Sequence, residues 1–129
     1  MTTAARAPIP SVLPLDKRLA RFCAQRVRLL EIVSPAARAA ILREPDSPVL
    51  RAARARHLRR VREEVAQVFA PELAAAGPGL LMVITVAVSL PTWASLREDW
   101  AMSAEDAHAM MRQTVTALLC DAVASPLRR

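Results

Sequence analysis

Residues 47 to 69 read SPVLRAARARHLRRVREEVAQVF, and the fold class is decided there. Ser47 before Pro48 is a helix start signal. The hydroxyl can accept from an orphan N–H of the first turn, and the proline that follows has a fixed φ and a missing N–H that suit that turn. Beyond it Leu50, Leu58, Val61, Val65, Val68 and Phe69 recur at helical spacing, the core stripe of a long helix ending at about Phe69. Arg51, Arg54, Arg56, Arg59, Arg60 and Arg62 wrap about two thirds of its circumference, so they form no clean phosphate-facing stripe. Glu63 and Glu64 follow at once and no aromatic residue interleaves for stacking. A solvated helix is expected rather than a nucleic-acid surface, and His57 needs no role beyond it.

Outward from this helix, the same punctuation recurs. Upstream, Ser34-Pro35 opens a short helix, Pro35 to Arg43, which stops near Glu44 because Pro45 follows. From Asp16, read as an N-cap, to Val33, the positions Leu19, Phe22, Cys23, Val27, Leu30 and Val33 fall within one arc of a first amphipathic helix. Residues 1–14 are proline-rich and read as an unfolded leader or linker, and residues 125–129 as a tail. Downstream, Pro71 kinks or restarts the chain, and Gly77 and Gly79 around Pro78 end that element. Leu80 to Asp99 then reads as a helix apolar around its whole circumference, bent at Pro91 and buried on all sides. Ser103 with Asp106 resembles a capping box for a last helix to about Val123, which points Ala107, Met111, Val115, Leu118 and Ala122 to one side. The expectation is an all-α domain over residues 15–124, an antiparallel bundle of about five helices.

Composition agrees. A chain of 129 residues holds one core and no second independent domain. Hydrophobic residues make up 53% but aromatics 3%, with no Tyr and two Gly, which argues against a sandwich or barrel. The net charge of +6 allows nucleic acid, an anionic membrane or an acidic ligand as partner. However, 17 of the 18 cations are Arg, beside much Ala, and a coding bias suffices to explain that skew. Cys23 and Cys120 are far apart and form no C-x-x-C pair, so neither a disulfide framework nor a zinc module is signalled. A reducing, cytoplasmic setting is the default. Prolines 8, 10 and 14 interrupt any secretory signal. Leu73 to Leu96 carries no charge and is long enough to span a bilayer, but its glycines, prolines and hydroxyls weigh against insertion, so no membrane partner is expected.

Catalytic signals are sparse. Two glycines cannot build a phosphate-cradling loop, and no nucleophile has a base at an informative spacing, so no enzyme and no cofactor is expected. Glu105-x-x-His108 is half of a di-iron pattern without its second copy, so it is read as a solvated pair and no metal is expected.

Three passages together resemble the C-terminal half of TetR-family transcriptional regulators. The first is RVRLLE at 26–31, leading through Ser34-Pro35 into Arg38-Ala39-Ala40. The second is SPVL at 47–50, continuing to VFAPEL at 68–73. The third is WASLR at 93–97, followed by MSAEDA at 102–107. The resemblance implies an all-helical domain that binds a small-molecule effector and forms a homodimer, its last two long helices packing against their copies as a four-helix bundle. The family's N-terminal helix-turn-helix half has no counterpart here, so DNA binding is expected only if such a domain exists. Helical face and resemblance together nominate Val86, Leu90, Met111, Val115 and Leu118 as dimer contacts.

Arg26 and Arg54 fall within the apolar arcs of their helices, where an unpaired guanidinium is costly. Each must snorkel, meet a carboxylate such as Glu31, or line a polar-tipped cavity. In the last case both face one cavity lined by Phe22, Leu30, Leu58 and Trp93, selecting an apolar or amphipathic anion such as an acyl or aromatic acid. Two alternatives stand beside this reading: a helical interaction module binding acidic partners through its Arg-rich helix, and a small membrane-associated protein using residues 79–96.

Overall fold

In the computed structural model, which describes residues 8–124 apart from the side chains of residues 37, 38, 41, 123 and 124, helix α1 spans Leu15–Arg43. It starts where Pro14 offers its carbonyl to the amides of Lys17 and Arg18, at 3.1 and 3.0 Å. Asp16 lies in the first turn, where its charge suits the helix dipole. The two helices expected from Asp16 to Arg43 are one helix of 29 residues, with Pro35 inside it. Proline there removes one bond to the carbonyl of Glu31 and crowds it. The helix survives because its register is held from outside: Leu29 and Leu30 are buried, and the Glu31 side chain is anchored by Trp93 and Arg97. The alanine-rich stretch beyond Pro35 also has high helix propensity.

A 3₁₀ turn, Glu44–Asp46, reverses the chain into α2, Pro48–Val68, and Ser47 caps it as expected, its Oγ accepting from the Leu50 amide at 3.2 Å. Helix α3, Ala70–Ala76, and α4, Pro78–Ala87, are divided at Gly77, whose φ of 95° lies in the left-handed region that favours glycine. The expected helix from Leu80 to Asp99 is broken at Val88 and Ser89, before Pro91 rather than bent at it. Helix α5, Leu90–Ala94, then runs into a π turn, Ser95–Asp99. Pro91 has no N–H for the Ala87 carbonyl, and the hydroxyls of Ser89 and Thr92 fold onto the Val86 carbonyl at 2.8 and 2.7 Å. Helix α6, Ala104–Ala124, begins after Ser103, whose Oγ accepts from the Asp106 amide at 3.0 Å. No strand occurs among the described residues; the domain is all-α.

The core gathers Phe22, Cys23 and Leu30 of α1, Val61 and Val65 of α2, Ile84 of α4, Trp93 of α5, and Ala107, Met111, Val115 and Leu119 of α6. The rings of Phe22 and Phe69 meet edge to face at 5.4 Å, a geometry that adds about 1 kcal/mol to their burial. Helix α1 packs against α6, and α4 packs against both α2 and α6. Of the stretch read as a leader, Ile9 packs on the core and the Leu13 carbonyl accepts from Arg18, Val12 is exposed, and residues 1–7 lie outside the described residues. The tail at 125–129 is likewise outside them. Helix α4 is not buried on all sides: Met82, Val83 and Val86 stand about half exposed on its outer face.

Candidate functional site

Three polar ties radiate from α1 and fix the elements around it. At its start, Arg18 is 5% exposed and donates from all three guanidinium nitrogens. Nη1 and Nη2 grip the two oxygens of Glu72 at 2.8 and 2.9 Å, Nη1 also reaches the Val68 carbonyl, and Nε holds the Leu13 carbonyl. The bond from Arg18 holds the Glu72 carboxyl below the usual carboxylate range. In the middle, Arg26 is buried, donates to the Val88 carbonyl at 3.0 Å and faces Glu64 at 4.0 Å. Further along, Glu31 accepts from Nε and Nη2 of Arg97, both at 3.0 Å, and from the Trp93 indole at 2.7 Å. Arg97 chiefly, and Trp93 with it, lowers the Glu31 pKa against the opposing effect of desolvation. Cys23 has no exposed surface, and burial pushes its thiol up to about 11.

Beyond these ties α1 and α2 run past the core, and between them lies a cavity of about 210 Å³. Val33 and Ala40 line it from α1, Leu50, Ala53 and Leu58 from α2, and Leu90 with Pro91 from α5. Small Ala40 and Ala53 leave space that larger side chains would fill. Its polar groups are Glu44, Arg54 and His57. Nη1 of Arg54 donates to both Glu44 oxygens, at 3.0 and 3.3 Å, while Arg51 grips the Glu44 and Pro45 carbonyls at 3.1 and 2.9 Å. A second hollow, about 320 Å³ and more open, lies beside the junction of α2 and α4, lined by Arg59, Arg62 and Glu63 of α2 and Leu81 of α4.

The structure separates the residues nominated for the pocket. Arg54 and Leu58 line the cavity, as does Leu90, nominated for the dimer. Phe22, Leu30 and Trp93 belong to the core, and Arg26 points into the interior toward Val88 and Glu64. The two arginines therefore do not face one cavity, and Arg26 meets Glu64 rather than Glu31. Arg54 stands at the edge of the cavity, its side chain 45% exposed and paired with Glu44. Val86 is exposed and Leu118 half-buried, but Met111 and Val115 are consumed by the chain's own core. A helical wheel finds an apolar stripe without telling which neighbour covers it; the outward face of α6 carries Met110 instead.

Arg18 went unread in the sequence although it stands one turn before Phe22, at the edge of the same arc; its partner lies 54 positions away. Among the described residues no cluster of His, Cys, Asp or Glu is placed to hold a metal ion. Compared with protein-family models, with curated proteins and with solved structures, the chain finds no match.

Proposed function

We propose that this chain is the effector-binding and homodimerising domain of a TetR-like regulator, in which a small molecule biases two arrangements of the helices. The observation that carries this reading is the cavity between α1 and α2, apolar along its walls and charged at one corner, the form of a small-molecule site. An apolar cavity of about 150 Å³ admits benzene, so 210 Å³ suits one ring with a short substituent or a short acyl chain. Contact with DNA would need a helix-turn-helix domain beyond these residues. Homodimerisation would cover Met82, Val83 and Val86, whose exposure on an uncharged helix is what an interface supplies a partner for.

Ligand-detected NMR with benzyl alcohol tests the cavity: the wild-type chain should bind it, and Leu58→Trp, which fills the space, should abolish binding while the helical circular dichroism is kept. Binding that survives this substitution would refute the cavity as the site. The membrane alternative draws on the same exposed face, since the most apolar 18-residue window within Pro78–Asp99 has a mean hydropathy of 1.8 and is 33% buried. A soluble dimer in detergent-free sedimentation would favour the effector domain over it.

A further inference from the structure

We infer that the cavity admits its ligand by carboxylate exchange: a ligand carboxylate takes the place of Glu44 on Arg54 and thereby releases the side chain that ties the corner between α1 and α2. This rests on the reading of the cavity as a ligand site. Among the described residues, the three arginine–carboxylate pairs at 2.8–3.0 Å set the contrast. Arg18 holds Glu72 through Nη1 and Nη2, and Arg97 holds Glu31 through Nε and Nη2, each a two-nitrogen fork that matches a carboxylate's shape. Arg54 meets Glu44 through Nη1 alone, one nitrogen shared between two oxygens at 3.0 and 3.3 Å. A carboxylate arriving from the cavity can meet the fork that Glu44 does not use.

The pair is also cheap to open. The Arg54 side chain is 45% exposed, so its ion pair is partly screened by water, unlike that of Arg18 at 6%. Exchange replaces one carboxylate by another, leaving the guanidinium with a counter-charge throughout, while the departing Glu44 carboxylate regains water at the domain surface. The apolar walls beside it, Leu50, Leu58 and Leu90, take the ring or chain of the acid. Release is confined to the corner: Arg51 keeps its hold on the carbonyls of Glu44 and Pro45, so the turn persists while its side-chain tie to α2 is lost. The ligand class is a monocarboxylic acid with one ring or a short chain.

The test titrates benzoate and benzyl alcohol into 15N-labelled wild type, Glu44→Gln and Arg54→Met, following amide shifts. Because the competing pair is an exposed one, Glu44→Gln should tighten benzoate about three- to fivefold and change benzyl alcohol less than about twofold. Arg54→Met should weaken benzoate by at least as much, a larger factor than any change in benzyl alcohol. In the wild type, benzoate but not the alcohol should shift the amides of Asp46 and Ser47. Benzoate binding that is unchanged or weaker in Glu44→Gln, with the alcohol still bound in the cavity, overturns the exchange and leaves the cavity reading standing. Failure of both probes to bind overturns the cavity reading and the exchange with it.

Discussion

Glu72→Ala should be the most damaging single change at a charged residue, because of what it leaves behind. Arg18, 5% exposed in the wild type, keeps its charge, yet loses both bonds to the carboxylate and retains only the carbonyls of Leu13 and Val68. Stranding one partner of a buried pair costs about 3–5 kcal/mol, and the two remaining carbonyls bring the expected loss to the lower end, about 3 kcal/mol. For a chain of this size that corresponds to a fall in Tm of about 10 °C. Urea unfolding followed by far-ultraviolet circular dichroism reads it directly. Arg18→Met with Glu72→Leu removes the charge and its partner together and should lie within about 1 kcal/mol of wild type, since apolar replacement of a buried pair is commonly neutral. A Glu72→Ala loss below about 1 kcal/mol, or a double variant as unstable as the single, would show that the pair is not the buried clamp described.

Acid should act through the same group. The Glu72 pKa is lowered in the folded protein, so its contribution is present above the unfolded value, about 4.3, and drains away as pH falls through the folded value. Glu72→Gln should flatten the stability profile below about pH 4, and an unaltered profile would contradict this. Ser47→Ala removes the acceptor for the Leu50 amide and should cost about 1 kcal/mol in urea unfolding. Val86→Arg places a charge on the outer face of α4 and should convert a dimer to monomers in sedimentation, lowering Tm only by what association contributes; a dimer that persists would move the interface elsewhere. Phe22→Ala deletes the edge-to-face partner of Phe69 and should cost about 3–5 kcal/mol.

The helices with local punctuation were legible. Ser47 and Ser103 cap α2 and α6 because the capping bond spans only three residues, and Gly77 ends α3 because its φ excludes other residues. Pro35 was misread because a Ser-Pro pair signals a start only if the preceding residues leave the helix, and Leu29, Leu30 and Glu31 are held in place by distant neighbours. The candidate site was half legible for a related reason. A helical wheel gives the angle of Arg26 and Arg54 but not what stands opposite each at its height along the axis. Arg26 finds the Val88 carbonyl, 62 positions on, while Arg54 finds open space bordered by a turn that carries Glu44.

The two cysteines give the domain its own opening clock. With its thiol at about 11, Cys23 is a thiolate in about one molecule in ten thousand at neutral pH, and its side chain has no path to solvent in the closed state. Cys120 lies exposed on α6 and can meet reagent without any opening. Alkylation of Cys23 therefore waits for α1 to part from its packing, and its rate relative to Cys120 in the same molecule measures how often that happens. A small molecule that binds only the closed domain would slow Cys23 and leave Cys120 untouched, so such binding would be readable by mass spectrometry on the unlabelled chain.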